Sequence, residues 1–293
     1  MEQVVRDKFT AYIANRKESF IISDPGGELF REMAGHFKEQ GYTVRRFDMQ
    51  APAKSDGWDV LRTVSNGANG NVELLAQVAS RTLVRSLSKN HDSIYATGAM
   101  SLLKAIMLRV ILGRDYPPEK KNIESVYELL QNPAGEDFLD TVFDADTLSE
   151  EEKPCLGPYL TFKQDSQSLR GNILANLVVQ LQLLQNKAVC KALSTNGIDP
   201  LLPPQQPCAY FCVFSDIHDT CQPIVTLFST LMLIRISTFA DNQMDGRCPI
   251  PVNFLMDEFP ENGKISDFSK KKAALDKRNI HLLDVMDIVN DKA

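Results

Sequence analysis

The chain has 293 residues, of which 43% are hydrophobic and 24% are charged, and its formal net charge is −6 with a pI of about 5.4. This composition is ordinary for a soluble globular protein, and the length suits one large domain or two modest ones. The acidic balance excludes a global basic field for nucleic-acid binding, although a local basic lining is still compatible with it.

The cysteines and the apolar stretches indicate a soluble cytoplasmic chain. Cys208 and Cys212 read as strand residues on one face, roughly 13 Å apart, which is too far for one tetrahedral zinc site. No Cys-x-x-Cys pair occurs, so we expect reduced, mostly buried thiols. No signal peptide is evident, and the longest apolar stretch, residues 224–236, is interrupted by Arg235 and three hydroxyl side chains.

The first part of the chain predicts a β-α-β unit. Residues 1–19 have helical spacing, and residues 20–23 are an apolar strand that ends in the Asp-Pro-Gly-Gly-Glu run of 24–28. A helix is predicted over 28–40 and a second strand over 43–47. Strands joined through a helix are typical of a parallel sheet.

The middle of the chain predicts an all-α module. Residues 49–59 read as a loop, and from residue 72 to 191 almost nothing reads as strand. Breaks are expected at 66–70, 115–118 and 154–158. Helical spacing occurs over 72–88, 93–113, 122–131, 135–146 and 167–193.

The α/β pattern then returns. A strand is predicted over 209–214, a helix over 222–241 and a strand over 252–256, followed by a charged helix and a last strand over 280–283. The domain prediction is therefore an α/β part over 1–65, an inserted all-α domain over 66–193, and a second α/β part over 194–293.

Two adjacent carboxylates, Asp257 and Glu258, directly follow the predicted strand at 252–256. Ligand sites in parallel sheets lie at the carboxyl ends of strands, where an ATPase places its Walker B pair. The first carboxylate would hold the water shell of Mg²⁺ and the second would activate the attacking water. A strand followed by an acidic helix cap is the alternative interpretation.

The remaining motifs carry weaker signals. The Asp24-Pro-Gly-Gly run reads as a turn before a helix, and no G-x-x-x-x-G-K-[ST] phosphate loop occurs in the sequence. The run Ser-Asp-Ile-His-Asp at 215–219 reads as a polar turn, without a nucleophile elbow elsewhere. A basic helix around 270–278 reads as a solvated face or as a subunit or DNA contact.

These motifs together resemble one family, the VirD4/TraG-type coupling proteins of conjugative type IV secretion systems. Residues 18–29 are similar to the family's SFIITDPKGEL, residues 41–44 to its GYxV, and residues 251–259 to its PVxFxMDEFANxG. Residues 55–61 stand where the family has its "S..yNPf" stretch. The long helical insert between two α/β halves is similar to the family's all-α domain.

The resemblance implies a partial RecA-like P-loop NTPase fold with an inserted all-α domain. It implies a membrane-anchored homo-hexameric ATPase that uses ATP and Mg²⁺ and delivers single-stranded DNA. Asp257 would hold Mg²⁺ through water, Glu258 would be catalytic, and Asp24 would be a cofactor-binding residue. The implied partners are relaxase and relaxosome proteins and the channel ATPases, with the helical insert receiving substrate.

The sequence departs from the family pattern at several places. The phosphate loop and the membrane anchor are not found, Gly26 replaces a lysine, Pro260-Glu261 replaces Ala-Asn, and one arginine is lost at 276–280. We therefore expect a truncated, monomeric substrate- or partner-binding module that binds no nucleotide alone. The alternatives are an ATP-driven translocase whose phosphate loop comes from another chain or a longer protein, and a remnant domain without function.

Overall fold

The computed structural model describes residues 10–12, 16–66, 71–87, 94–255 and 268–283. Two compact units are present, and each is formed from separate stretches of the chain. The first unit contains residues 1–57, 196–219 and 232–293, and the second contains residues 58–195 and 220–231.

The described elements alternate between strands and helices at both ends of the chain and are helical in the middle. The strands are β1 (Ser19–Pro25), β2 (Thr43–Asp48), β3 (Cys208–Phe214), β4 (Val252–Leu255) and β5 (Ile280–Leu283). The helices are α1 (Glu28–Glu39), α2 (Val60–Ser65), α3 (Val72–Leu87), α4 (Ile94–Leu112), α5 (Ile123–Leu130), α6 (Gly135–Val142), α7 (Leu156–Lys163), α8 (Gln167–Gln180), α9 (Lys187–Ala192), α10 (Gln222–Asp241) and α11 (Phe268–Asp276).

The first unit contains a five-stranded parallel sheet with the order β2-β3-β1-β4-β5. The central strands are apolar runs buried on both faces, because parallel sheets are covered on both sides. The predicted α/β class with a mostly parallel sheet is confirmed.

One face of this sheet is covered by α1. Phe20 and Ile22 of β1 and Phe211 of β3 pack against Met33 and Phe37 of α1, and all five side chains are buried. Gly41, with φ 84°, follows the helix and turns the chain into β2. The helix is thereby fixed directly after the carboxyl end of β1.

The outer edge of β2 is closed by the loop that follows it. The backbone N–H of Arg46 donates to Asp56 Oδ2 at 2.6 Å, and the Asp56 N–H donates to the Arg46 carbonyl at 2.8 Å. Asp48 N–H donates to the Ser55 hydroxyl at 3.1 Å. Strand edges with free backbone groups can pair with other chains, and this loop removes that option at β2.

The second unit is helical, with α4 at its centre. Helix α4 packs against α3, α5, α7 and α8. It contains long apolar stretches without a polar face, as expected of a helix surrounded by other helices. Gly98 allows the closest approach, since a Cβ there would lie 2.5 Å from the Ile173 Cδ1 atom of α8.

The helix predictions are wrong at three places in this unit. The predicted break at 154–158 contains the start of α7, because Pro158 lies in the first helical turn, where no N–H is needed. The stretch 167–193 is not one helix but α8, a 3₁₀ turn at Gln182–Gln185, and α9. The short helix α2, capped by the Asp59 side chain, was not predicted.

Two of the described helices, α4 and α10, are long and apolar enough to cross a membrane by length and composition alone. The expectation that the chain contains no apolar run of transmembrane length is therefore wrong for these two helices. Of the apolar window, 67% is buried in α4 and 56% in α10, and a mostly buried core helix meets the same criterion. All six cysteines are free thiols and five of them are buried, as predicted.

Candidate functional site

The candidate site lies at the carboxyl edge of the sheet, around the end of β1. Strand β1 lies between β3 and β4, and its connection to β2 runs in the opposite direction along the sheet from the connection between β3 and β4. Such a reversal is where open α/β sheets form their ligand crevice. The predicted site residue Asp24 lies at the end of β1, and Asp257-Glu258 follow the adjacent strand β4 in the sequence.

Asp24 is held against the first turn of α1. Its Oδ1 accepts from the Leu29 N–H at 3.0 Å and its Oδ2 accepts from the Phe30 N–H at 2.8 Å. The residue is 1% exposed, and this burial raises the pKa of its carboxyl group despite the two N–H donors. Asp24 thus caps the helix end that would otherwise attract an anion.

The turn between β1 and α1 is formed by two glycines. Gly26 and Gly27 have φ values of 72° and 71°, a conformation that side chains rarely adopt. The Gly26 N–H donates to the Phe214 carbonyl at 2.9 Å, and the Gly27 N–H donates to the Asp24 carbonyl at 3.2 Å. Arg31 Nη1 donates to the carbonyl of Gly26, the residue that stands where the family has a lysine, at 2.8 Å.

This turn does not fit a nucleotide phosphate. Four backbone N–H groups, those of Gly26, Gly27, Leu29 and Phe30, already have acceptors in the protein. A phosphate cradle needs several free N–H groups that point at the ligand. Asp216 also lies close by, since a Cβ on Gly26 would be 3.5 Å from its Oδ2 atom.

A second buried carboxylate, Asp48, ends β2 and was not among the predicted site residues. Its Oδ1 accepts from the N–H groups of Gln50 at 2.9 Å and Ala51 at 2.7 Å, and it pairs with Arg46. Asp24 and Asp48 are both in register with Val213, so they flank β3 from the two sides. The sequence could have indicated Asp48, because it is an aspartate at the end of a predicted strand and directly before a turn.

The predicted Walker B pair, Asp257 and Glu258, lies outside the described residues, which end at 255 and resume at 268. Its role in holding Mg²⁺ and activating water therefore stays a prediction. The described strand before it, β4, is fully buried, and its Asn253 side chain donates to Glu18 Oε2 at 2.9 Å. That hydrogen bond lies at the amino end of the strand and supports its position in the sheet.

The described part of the chain contains no group of three or more His, Cys, Asp or Glu side chains that could hold a metal ion. The two cysteines of β3, Cys208 and Cys212, do not pair with each other or with a third ligand there. Burial raises the pKa of the Cys208 thiol to about 12, which keeps it protonated and unreactive.

The retained arginine of the 276–280 stretch, Arg278, has a structural role. Its Nε donates to Asp241 Oδ1 at 2.7 Å and its Nη1 donates to the Ala274 carbonyl at 2.9 Å. This arginine connects the ends of α10 and α11 at the start of β5. The side chains of residues 268–271, which include two of the predicted basic residues, lie outside the described ones.

We expect Asp24→Ala to lower the free energy of unfolding by about 2 kcal/mol, since two N–H groups of α1 would lose their acceptor. Asp24→Asn keeps one acceptor oxygen and should cost less than half as much. Because folding raises the Asp24 pKa, the wild type loses stability relative to Asp24→Asn as the pH rises through that pKa. Urea unfolding between pH 4 and 7 measures this, and equal losses in both variants would contradict the capping role.

A model of the family described as type IV secretory system conjugative DNA transfer matches residues 11–289 of this chain. Among solved structures, the plasmid coupling protein TrwB in complex with the non-hydrolysable GTP analogue GDPNP is 12% identical, with a TM-score of 0.51 over 97% of this chain and 66% of that one. The unbound monoclinic form of the bacterial conjugative coupling protein TrwBdeltaN70 is 13% identical, with a TM-score of 0.50 over 95% and 65%.

At 12% and 13% identity, the structural likeness to TrwB shows that the fold is shared. The chain spans slightly less than two thirds of the TrwB chains that it matches. No curated protein sequence matches it.

Proposed function

Because the chain belongs to the type IV secretory system conjugative DNA transfer family, we propose that it is a substrate- or partner-binding module of a conjugative coupling protein. In this role it links the relaxase–DNA substrate to the secretion channel, and by itself it does not hydrolyse ATP. The α/β parts at 1–65 and 194–293 form the partial RecA-like domain, and the all-α domain at 66–193 receives the substrate.

The closed turn after β1 is the observation that carries this proposal. Asp24 occupies the N-terminus of α1, and the glycine N–H groups are bonded to the protein. The sequence contains no G-x-x-x-x-G-K-[ST] run that could form a second cradle. Asp257 and Glu258 alone hold no triphosphate, because phosphate binding needs N–H donors and a lysine.

Phosphate release from Mg-ATP tests the catalytic part of the proposal. We expect the purified chain to release no phosphate above the buffer rate, and Glu258→Gln to behave identically. A malachite-green assay with both proteins at equal concentration is sufficient. Turnover by the wild type that Glu258→Gln abolishes would overturn the proposal and would identify Glu258 as the catalytic residue.

The second candidate function is an ATP-driven DNA translocase whose phosphate loop comes from another chain or from a longer protein. It is favoured by the likeness to TrwB, a coupling protein solved with a GTP analogue. In that case Asp257 holds Mg²⁺ through water and Glu258 activates the hydrolytic water, and the assembly is a hexamer at the membrane. Titration with a fluorescent ATP analogue separates the two, since the binding module has no Mg-dependent affinity.

Partner binding is tested by pull-down with relaxase and channel ATPases, with the all-α domain as the expected contact. Single-stranded DNA should bind weakly at a net charge of −6, with an affinity that falls steeply with salt concentration. Absence of binding to every one of these partners would instead support a remnant domain without function.

A further inference from the structure

Arg235 occupies a core position in the second half of α10. Met232, Ile236 and Ala240 lie on the buried stripe of this half of the helix, and each is 2% exposed or less. Arg235 falls on the same stripe at helical spacing and is only 5% exposed. A cation therefore stands where the packing pattern calls for an apolar side chain.

The guanidinium group of Arg235 has no acceptor among the described residues. Its buried Nε atom lacks any hydrogen-bond partner. The comparably buried Arg109 in the second unit shows the usual arrangement, with hydrogen bonds to both carboxylate oxygens of Asp115 at 2.8 and 2.9 Å. Buried charges are nearly always paired, because their desolvation is costly.

Asp199 interacts with Arg235 through its charge, without an ion pair between the two side chains. Burial lowers the pKa of Arg235 and the Asp199 charge opposes this. The Asp199 carboxylate is exposed and engaged elsewhere, since its Oδ1 accepts from the Leu201 N–H at 2.9 Å. The Asp199 carbonyl accepts from the Tyr210 hydroxyl at 3.1 Å. Among the described residues, Asp199 thus supplies nearby negative charge, and none supplies a hydrogen-bond acceptor for Arg235.

The position of Arg235 separates it from the candidate site at the carboxyl edge. Helix α10 begins after the carboxyl end of β3 and returns to the amino end of β4, so its second half lies towards the amino edge of the sheet. Asp199 and Tyr210, near the start of β3, agree with this placement. The candidate site at the carboxyl edge and Arg235 therefore lie at opposite ends of the strands.

We propose that Arg235 binds a small oxyanion, a phosphate or a carboxylate group, at the amino edge of the first unit. The planar guanidinium offers parallel N–H groups that match two oxygens of such an anion. The anion supplies the acceptor that Arg235 does not find in the described part of the chain. This inference is independent of the proposed function, because it involves neither Asp257 and Glu258 nor the turn after β1.

Thermal unfolding of the full chain in sodium phosphate, against sodium chloride at equal ionic strength, tests the proposal. We expect the wild type to gain several degrees in unfolding temperature in a saturable manner. Arg235→Met should lose this gain and should unfold in chloride at the same temperature as the wild type or a higher one, since an unpaired buried charge is removed. Asp199→Asn should raise the apparent phosphate affinity several-fold, because a repelling charge disappears.

Two controls sharpen the result. Arg31→Met removes an exposed arginine at the other edge and should keep the phosphate response. Arg109→Met breaks a paired buried arginine and should lower the unfolding temperature in chloride. The proposal is overturned if the wild type does not respond to phosphate, if Arg235→Met keeps the response, or if Arg235→Met is as damaging in chloride as Arg109→Met. Acetate and a short single-stranded oligonucleotide, tested in the same way, distinguish a carboxylate or nucleic-acid phosphate from the free ion.

Discussion

Replacing Glu152 by alanine should lower the free energy of unfolding of the helical unit by about 3–5 kcal/mol, the range found when one partner of a buried ion pair is removed. Glu152 is 6% exposed and accepts three hydrogen bonds. The donors are the backbone N–H of Arg114 at 2.9 Å, and the N–H and hydroxyl of Ser149 at 2.9 and 2.6 Å. Arg109 Nη1 lies 3.6 Å from Glu152 Oε1. Alanine would leave the Arg114 N–H and both Ser149 donors without their acceptor, and it would remove one of the two carboxylates beside Arg109, which keeps its hydrogen bonds to Asp115.

The lowered pKa of Glu152 also makes the stability of the helical unit depend on acid pH. The Ser149 hydroxyl, the two backbone N–H groups and the Arg109 charge together lower the pKa of Glu152 to about 2. In the unfolded chain the pKa of a glutamate is about 4.3. The stabilisation from Glu152 is therefore fully present above that value and is lost as the pH falls towards 2. Unfolding followed from pH 6 to 2 should show this loss in the wild type and not in Glu152→Ala.

The neighbouring Glu151 provides a matched control. It pairs with Arg114 at 2.9 Å on the surface, where its side chain is 75% exposed. Glu151→Ala should cost less than about 1 kcal/mol, because exposed pairs contribute little. Urea unfolding of both variants, with hydrogen exchange to locate the change, measures the difference. Similar losses for Glu151→Ala and Glu152→Ala would show that the buried network is not what stabilises this unit.

Replacing Gly197 by alanine should destabilise the first unit by about 1–3 kcal/mol, the usual cost of overpacking. A Cβ at this position would be pressed against the Asp56 carbonyl group, 2.8 Å from its carbon atom. Because the obstacle is backbone, no side-chain rotation relieves it. The Asp56 segment closes the edge of β2, and the Ile198 N–H holds it through the Gly57 carbonyl at 3.0 Å.

Gly35 serves as the control for this substitution. It lies within α1, and a Cβ there would have no neighbour within 4 Å. Gly35→Ala should therefore raise stability by about 0.5–1 kcal/mol through helix propensity. Hydrogen exchange should show faster exchange in β2 for Gly197→Ala and unchanged or slower exchange in α1 for Gly35→Ala. A neutral Gly197→Ala would mean that the loop after β2 can move away without losing its contacts.

Glu152→Ala and Gly197→Ala also separate structural effects from effects on partner binding. Glu152 lies in the helical unit that we propose receives the substrate, whereas Gly197 lies in the sheet-containing unit. Loss of relaxase binding in Glu152→Ala but not in Gly197→Ala, at a temperature where both are folded, would support the proposed role of the helical unit. The reverse result would place the contact on the α/β unit.

Much of the fold could be predicted from local patterns. Apolar runs such as 209–214 lie between proline and polar turns, and a strand buried on both faces needs no other signal. The limits of α10 were predicted at residues 222 and 241 as observed. The helical stretch at 167–193 was predicted as one helix and is broken into three pieces, because its breaks depend on packing within the unit and not on glycine or proline.

Local patterns were enough to predict the motifs that resemble the family, the succession of strands and helices along the chain, and Asp24 as a carboxylate at a strand end. The folded chain was needed to show that Asp24 caps α1 and thereby closes the turn, and that Asp48 lies on the other side of Val213 from it. The sequence also did not show that the buried Nε atom of Arg235 has no hydrogen-bond partner among the described residues, since there Arg235 is one charged residue in an apolar helix. The physical reason is that periodicity reports which side of an element is buried. Whether a buried polar atom finds a partner depends on residues far away in the chain.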